Sequence, residues 1–191
     1  SETDFKALVE AAHSRGLKVY MDIIANHTAD VIKYRECPKN DCVYRSRADY
    51  PYQVRASDGA AINSGFAGDQ LQTQANMRKL TEMNFAYSPY IPTGEENVKK
   101  PDWLNDIRYY HNRGETTYWN ESATMGDFFG LDDVMTEHPR VIQGFIEIYG
   151  DWIDRFGVDG FRVDTARHVN PEFWQKFVPA MLKPARAKNI P

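Results

Sequence analysis

Two passages of this 191-residue chain follow the same pattern, and they constrain its fold more than any other feature. "TDFKALVEAAHSRG" runs into "LKVYMDIIANH", and much later "HPRVIQGFIEIYGDWIDRFG" runs into "GVDGFRVDTARH". In the first passage Phe5, Leu8, Val9 and Ala12 recur at i, i+3, i+4 and i+7, the spacing of one helical face. Thr3 or Asp4 suits the cap at its start, and Gly16 suits the position after its end. In the second, Ile142, Phe145, Ile146, Tyr149, Trp152, Ile153 and Phe156 share a face, with Pro139 in the first turn and Gly157 at the end. Each helix is followed by a β-branched apolar run of strand length. A third helical pattern, "NPEFWQKFVPAML", follows the second strand, with Asn170 as cap and Pro171 at its first position. Alternation of this kind predicts an α/β fold built on a parallel sheet.

Between the two units the pattern dissolves into a stretch rich in Tyr, Asn, Asp, Gly and Pro. Structureless loops beyond roughly 15 residues are uncommon in compact domains. The stretch is therefore expected to form an irregular, partly β subdomain. This divides the chain into residues 1–27, 28–136 and 137–191. Composition narrows the function classes. Net charge is -4 and charged residues make up 26% of the chain, which gives no basis for a nucleic-acid or membrane-surface partner. No apolar run approaches the roughly 20 residues of a membrane span, and no signal peptide is visible. Cys37 and Cys42 flank "PKND", a turn-forming sequence, and read either as two free thiols or as a small disulfide loop. A disulfide would imply an oxidising compartment, extracellular or periplasmic. A zinc site would need two more ligands, which no nearby Cys or His pair supplies.

The strand ends carry the chemistry. Side chains alternate along a strand, so Arg162 and Asp164 share one face while Phe161 and Val163 share the other. A parallel sheet is usually covered on both faces, so both charges are expected to be buried and paired. They form either a structural ion pair or part of an active site, since α/β proteins bind ligands at the C-terminal ends of their strands. The first strand ends in the same manner, with Asp22, Ile24 and Asn26 on one face and His27 closing it. A lone His is more often a satisfied core residue than a ligand, but two successive strands ending in Asp, Asn or His weaken that reading.

These residues resemble the alpha-amylase family of glycoside hydrolases. "DIIANH" is similar to the family's first signature and "GFRVDTARH" to its second, G-x-R-x-D-x-x-[KR]-H. "GLDDV" is similar to the G-L-x-D-L stretch near the end of its inserted domain B. All three occur in the family's order, and the resemblance spans essentially the whole chain. It implies a partial (β/α)8 TIM barrel, comprising strands three and four, with domain B inserted after strand three. The family's general-acid Glu on strand five, a later Asp and an early Tyr would lie outside these residues, since "AKNIP" falls about where strand five would begin. Without the acid, residues 1–191 alone are expected to be inactive.

The resemblance makes Asp164 the nucleophile of a retaining reaction on an α-glucan or α-glucoside. Such a reaction pairs two carboxyl groups roughly 5 Å apart. Arg162, on the same face, would supply the permanent positive charge that keeps Asp164 ionised. His27 and His168 would hydrogen-bond sugar hydroxyls, and Arg167, where the family more often has Lys, would contact the neighbouring subsite. The resemblance also implies Ca²⁺, bound by Asn26, Asp133 and the main-chain carbonyl of His168, which would fasten domain B to the barrel. Asp127 is the candidate for a further ligand, with Glu121 behind it, and no motif fixes either. Asp132 reads as a solvated turn residue. Tyr109, Tyr110, Tyr118 and Trp119 could stack on sugar rings, although such residues more often fill a small core. Two other functions stay open. One is a non-catalytic sugar-binding or assembly relative. The other is a metal-dependent barrel hydrolase using His27, Asp164 and His168, which the Arg beside Asp164 fits poorly. The substrate among starch, maltodextrin, sucrose and trehalose stays open, as does hydrolysis against transfer.

Overall fold

The computed structural model describes residues 1–37, 39, 41–55 and 58–188. The elements in chain order are α1 (Glu2–His13), β1 (Tyr20–Ile24), β2 (His27–Thr28), β3 (Lys33–Tyr34), α2 (Gln74–Met77) and β4 (Pro89–Tyr90). They continue with α3 (Ser122–Met125), β5 (Asp132–Asp133), α4 (Pro139–Asp151), β6 (Gly160–Asp164) and α5 (Pro171–Ala187). The chain divides into two compact units, one made of Ser1–Ala25 with Ile142–Pro191 and the other of Asn26–Val141. Pro38 and Asn40 of the "PKND" turn, and residues 189–191 at the expected start of a further strand, lie outside the described residues.

In the first unit, β1 and β6 pair in parallel, with Asp22 opposite Arg162 and Ile24 opposite Asp164. The three long helices form where apolar periodicity predicts them. Helix α1 is capped by Ser1 rather than by Thr3 or Asp4. The Ser1 hydroxyl accepts from the Asp4 N–H, and the Asp4 carboxylate returns a bond to the Ser1 amine and hydroxyl, closing a capping box. Helix α4 widens into a π turn over Trp152–Phe156 and stops at Gly157, whose φ of 70° suits glycine. Helix α5 runs through Pro179 and Pro184. Val9, Ile23, Ile142, Phe145, Ile153, Phe156, Phe173 and Phe177 are buried and form this unit's core. Phe145 meets Phe173 edge-on at 5.9 Å, and Phe5 meets Trp152 in the same way at 5.4 Å. The opposite sheet face departs from expectation. The side chains of Asp22, Arg162 and Asp164 are 64%, 61% and 35% exposed, so the charged face is accessible rather than buried. The apolar face of the sheet is covered, with Tyr149 of α4 lying 5.7 Å from Phe161.

The second unit is irregular and partly β. It contains two antiparallel two-stranded ribbons, β2 with β5 and β3 with β4, besides short helical turns. Tyr52, Phe66, Met77, Leu80, Phe85 and Met135 form its apolar cluster. With little regular ladder available, side-chain amides satisfy the buried main chain. Asn76 accepts from Ala67 N–H and donates to the carbonyls of Gly68 and Leu71, at 2.7, 2.7 and 2.8 Å. Asn84 donates to Tyr52 O at 2.6 Å. Gly114 has φ 84°, and a Cβ there would lie 2.6 Å from Val43 O, so only glycine fits. Asp132 is not a solvated turn residue. It is 3% exposed, its carboxylate accepts from the Val31 and Ile32 N–H groups, and it forms an ion pair with buried Lys99. Burial raises the Asp132 pKa to about 6 and lowers that of Lys99. Cys37 and Cys42 are joined as a disulfide, with Cα atoms 5.5 Å apart.

Candidate active site

The first unit brings three charged groups together at the C-terminal end of its strands. One nitrogen of Arg162, Nη1, donates to both oxygens of Asp22 at 2.9 and 3.0 Å and to Oδ1 of Asp164 at 2.8 Å. Direct pairing of Asp22 with Arg162 across the sheet places the first contact, and alternation along β6 places the second. Hydrogen bonds to Asp22 and Asp164 raise the Arg162 pKa, so the group is a permanent cation. After Asp164 the chain turns sharply through Thr165, a non-glycine residue at φ 50°. Among the described residues its buried hydroxyl finds no hydrogen-bond partner. Backbone of this kind is costly and clusters at functional sites. Sequence reading did not single out Thr165, because nothing in its residue type signals a left-handed backbone. The short turn Ala166–His168 follows, with Arg167 exposed and His168 buried.

In the second unit, β2 and β5 bring other predicted residues together. His27 lies opposite Asp133, and the Val134 N–H donates to Asn26 O at 2.9 Å. Asn26 is 2% and Asp133 1% exposed. The Asn26 side-chain nitrogen lies 3.3 Å from His27 Nδ1, and the His27 ring stacks on Phe128 at 5.2 Å. Asp133 meets His111 Nδ1 at 2.6 Å, and the other His111 nitrogen faces Glu137 at 3.0 Å. Although burial opposes it, the two carboxylates raise the His111 pKa well above its ordinary value, and His111 in turn holds Glu137 low. Burial pushes Asp133 up to about 7. Asp127 lies beside Asp133. Its Oδ2 accepts from the Tyr34 hydroxyl at 2.7 Å and its Oδ1 from the Asp133 N–H at 3.1 Å. Burial, reinforced by Asp133 and Asp132, raises Asp127 well above the usual carboxylate range. Glu121 is held by the Tyr44 hydroxyl at 2.6 Å and by Arg47 at 2.8 and 2.9 Å. His111, Tyr34 and Phe128 belong to this neighbourhood and carried no motif in the sequence.

Four buried carboxylates, Asp127, Asp132, Asp133 and Glu137, face two buried cationic groups, Lys99 and His111. Asn26 and Asp133 offer oxygen atoms of the kind Ca²⁺ takes. Asp127 is the less available donor, because both of its oxygens already accept hydrogen bonds. Among the described residues no group of three or more His, Cys, Asp or Glu side chains could hold a metal ion, so the fit rests on the amide and main-chain oxygens.

Aromatic groups in this unit separate into two kinds. Tyr110 is a core residue, 1% exposed, its hydroxyl donating to Leu104 O at 2.6 Å. Trp119 and Phe129 are 73% and 77% exposed. Phe129 contacts Tyr118 at 5.6 Å and Phe128 at 5.3 Å, and Tyr118, Asn120 and Phe129 all have positive φ. Strained backbone thus presents an aromatic surface adjoining Phe128, the partner of His27.

Comparison with known proteins identifies the family. A family model described as alpha amylase, catalytic domain, matches residues 1–183. An alpha-amylase of Streptomyces lividans is 42% identical over 178 residues, which is 93% of this chain and 18% of that protein. A periplasmic alpha-amylase of Escherichia coli is 27% identical over 211 residues, covering 92% of this chain and 27% of that protein. The crystal structure of an Anoxybacillus alpha-amylase superposes with a TM-score of 0.56 at 22% identity, covering 96% of this chain and 26% of the other. The chain thus spans less than a third of the proteins it matches. It corresponds in fold to part of a TIM-barrel alpha-amylase, and the match over residues 1–183 establishes that it belongs to the alpha-amylase family of glycoside hydrolases.

Proposed function

We propose that the protein cleaves or transfers α-glucosidic bonds with retention of configuration, through a covalent glycosyl-enzyme on Asp164. The observation that carries this reading is the Arg162 clamp, one cation gripping Asp22 and Asp164 at the strand ends. Arg162 holds the Asp164 carboxylate in place, and Asp22 fixes the guanidinium from the neighbouring strand. Asp164 attacks the anomeric carbon as the glycosidic bond breaks, and the leaving oxygen takes a proton from a second carboxyl group. That acid, and the remaining strands of a barrel into which residues 28–136 are inserted as domain B, come from further sequence of the same polypeptide. Residues 1–191 alone are then inactive. His27, His168 and Arg167 hold sugar hydroxyls on either side of the scissile bond, and the exposed Phe129 and Trp119 offer faces for stacking. Asn26 and Asp133, with the His168 carbonyl and Asp127 as further ligands, would hold Ca²⁺, which would fasten the segments that carry them. Similarity to a protein named periplasmic and the Cys37–Cys42 bond support an extracellular or periplasmic location. Among the described residues no helix is long and apolar enough to cross a membrane.

The test is Asp164→Asn in the full-length protein. Turnover of a maltooligosaccharide should fall by at least about 10⁴-fold, with glucan binding retained. A 2-deoxy-2-fluoro glycosyl fluoride should label the wild type on the peptide containing Asp164. Turnover in the variant close to that of the wild type, or a label on another residue, would refute the assignment.

A further inference from the structure

Residues 48–51, 54, 55, 62 and 85 of the second unit enclose a pocket of about 550 Å³. Tyr50, Pro51, Val54 and Phe85 give it apolar walls, and Asp49 and Arg55 stand beside them. None of the residues assigned above to catalysis, sugar contact or metal lines it. We propose that this pocket is a second glucan-binding site, which holds a glucose residue of the polymer without cleaving it. The pocket itself argues for a neutral polyhydroxyl ring, and the choice of an α-glucan rests on the function proposed above.

The walls are fixed in advance of any ligand. The Tyr50 N–H donates to Ser46 O at 2.8 Å, and the Tyr50 carbonyl accepts from Nη1 of the buried Arg113 at 3.1 Å. Arg113 lies over the Tyr52 ring at 4.3 Å, and Tyr52 meets Phe85 edge-on at 6.4 Å. The segment that supplies Val54, Arg55 and Ile62 is tied by main-chain bonds. Val54 pairs with Ala61, the Arg55 N–H donates to Ala60 O at 3.0 Å, and the Ile62 N–H donates to Gln53 O at 2.9 Å. The Ser46 hydroxyl donates to Asp49 Oδ2 at 2.6 Å, which orients that carboxylate. Arg45 lies over one face of the Tyr50 ring at 4.6 Å, yet Tyr50 is 42% exposed, so the other face is open.

The side groups define the ligand. An ionised carboxylate only accepts hydrogen bonds, and a guanidinium only donates them. Asp49 and Arg55 are both exposed and, among the described residues, neither side chain forms an ion pair. Their charges are opposite and equal, so together they favour neither an anion nor a cation. A hydroxyl both donates and accepts, so neighbouring hydroxyls of a sugar ring meet both side chains without adding charge. The C–H face of a pyranose matches the open face of Tyr50 and the apolar surface of Pro51, Val54 and Phe85. An apolar pocket with a few polar groups and this volume falls within the roughly 300–1,000 Å³ of small-molecule sites. A polymer held here keeps its other residues at a raised local concentration around the protein, a gain that a short oligosaccharide does not share.

The experiment is native electrophoresis of the full-length protein through gels containing glycogen, with a soluble β-glucan at the same concentration as control. Glycogen should retard the wild type. The dissociation constant read from the retardation should rise about fivefold or more in Tyr50→Leu and in Arg55→Gln, as for loss of one ligand contact. Tyr50→Phe keeps the ring and should bind as the wild type does. Arg55 is exposed, so its replacement tests the site without disturbing the core. Turnover of maltotriose by the wild type, measured in parallel, reports on the glycosidase reading alone. Absence of retardation, equal retardation by the β-glucan, or retardation that either Tyr50→Leu or Arg55→Gln leaves unchanged would overturn the site, even with maltotriose cleaved. Retardation that both variants weaken supports the site, even in a protein that leaves maltotriose intact.

Discussion

His138 provides a pH-dependence prediction whose size follows from its surroundings. It is 2% exposed, boxed in by Tyr109 and the start of α4, and burial lowers its pKa from 6.5 to about 4. Between those values the unfolded chain binds a proton at this site and the folded protein does not. Stability from this group is therefore complete above the unfolded value and is lost as pH falls toward the folded one. The whole shift corresponds to about 3 kcal/mol. Moving from about pH 7.5 to about pH 5 should remove about 2 kcal/mol of it. The assay is urea denaturation of the wild type and of His138→Gln at both pH values. Glutamine keeps an acceptor for the Arg140 N–H but does not titrate. The wild type should lose about 2 kcal/mol more than the variant on acidification. Equal losses, or an imidazole that titrates near 6.5 by NMR, would refute the reasoning.

Other perturbations probe the second unit. Lys99→Met should cost about 3–5 kcal/mol in chemical denaturation, because it leaves the Asp132 carboxylate buried without its cation. Adding Asp132→Asn should recover part of that loss. Gly114→Ala should lower the thermal midpoint far more than Gly94→Ala. Both positions have positive φ, but a Cβ at Gly114 meets two main-chain oxygens while one at Gly94 meets nothing. Chelation should speed proteolysis within residues 28–136 of the full-length protein, and equal cutting with and without chelator would count against bound Ca²⁺.

Much of the first unit was legible because its signals are local. Phe5, Leu8 and Val9 repeat at helical spacing, Gly157 marks a helix end, and the strand at Gly160–Asp164 follows directly. The pairing of Arg162 with Asp164 was also legible, being two residues apart on one face. The exposure of that face was not, because alternation tells which residues share a side and not what covers it. The cap at Ser1 was missed in favour of Thr3 or Asp4, although Asp4 completes the box. In the second unit only irregularity could be read. Its contacts join residues far apart in sequence, as when Asp132 meets Val31 and Lys99, and no periodicity encodes such pairs. The motif "GLDDV" drew attention to Asp133 and hid Asp132, whose burial depends on the distant lysine.

The shared nitrogen of Arg162 has a consequence for assembly. Sliding β1 by one residue against β6 would turn Asp22 to the opposite side of the sheet. Sliding it by two would restore the side but carry the carboxylate about 7 Å along the strand, beyond hydrogen-bond reach. Only one alignment of the two strands lets a single guanidinium hold both aspartates. A misaligned molecule could thus look folded by its helix content and still lack an anchored nucleophile. Turnover, measured per folded molecule, would then report strand alignment, and a folding defect at Asp22 would first be seen as a lowered count of active sites with the rate per site unchanged.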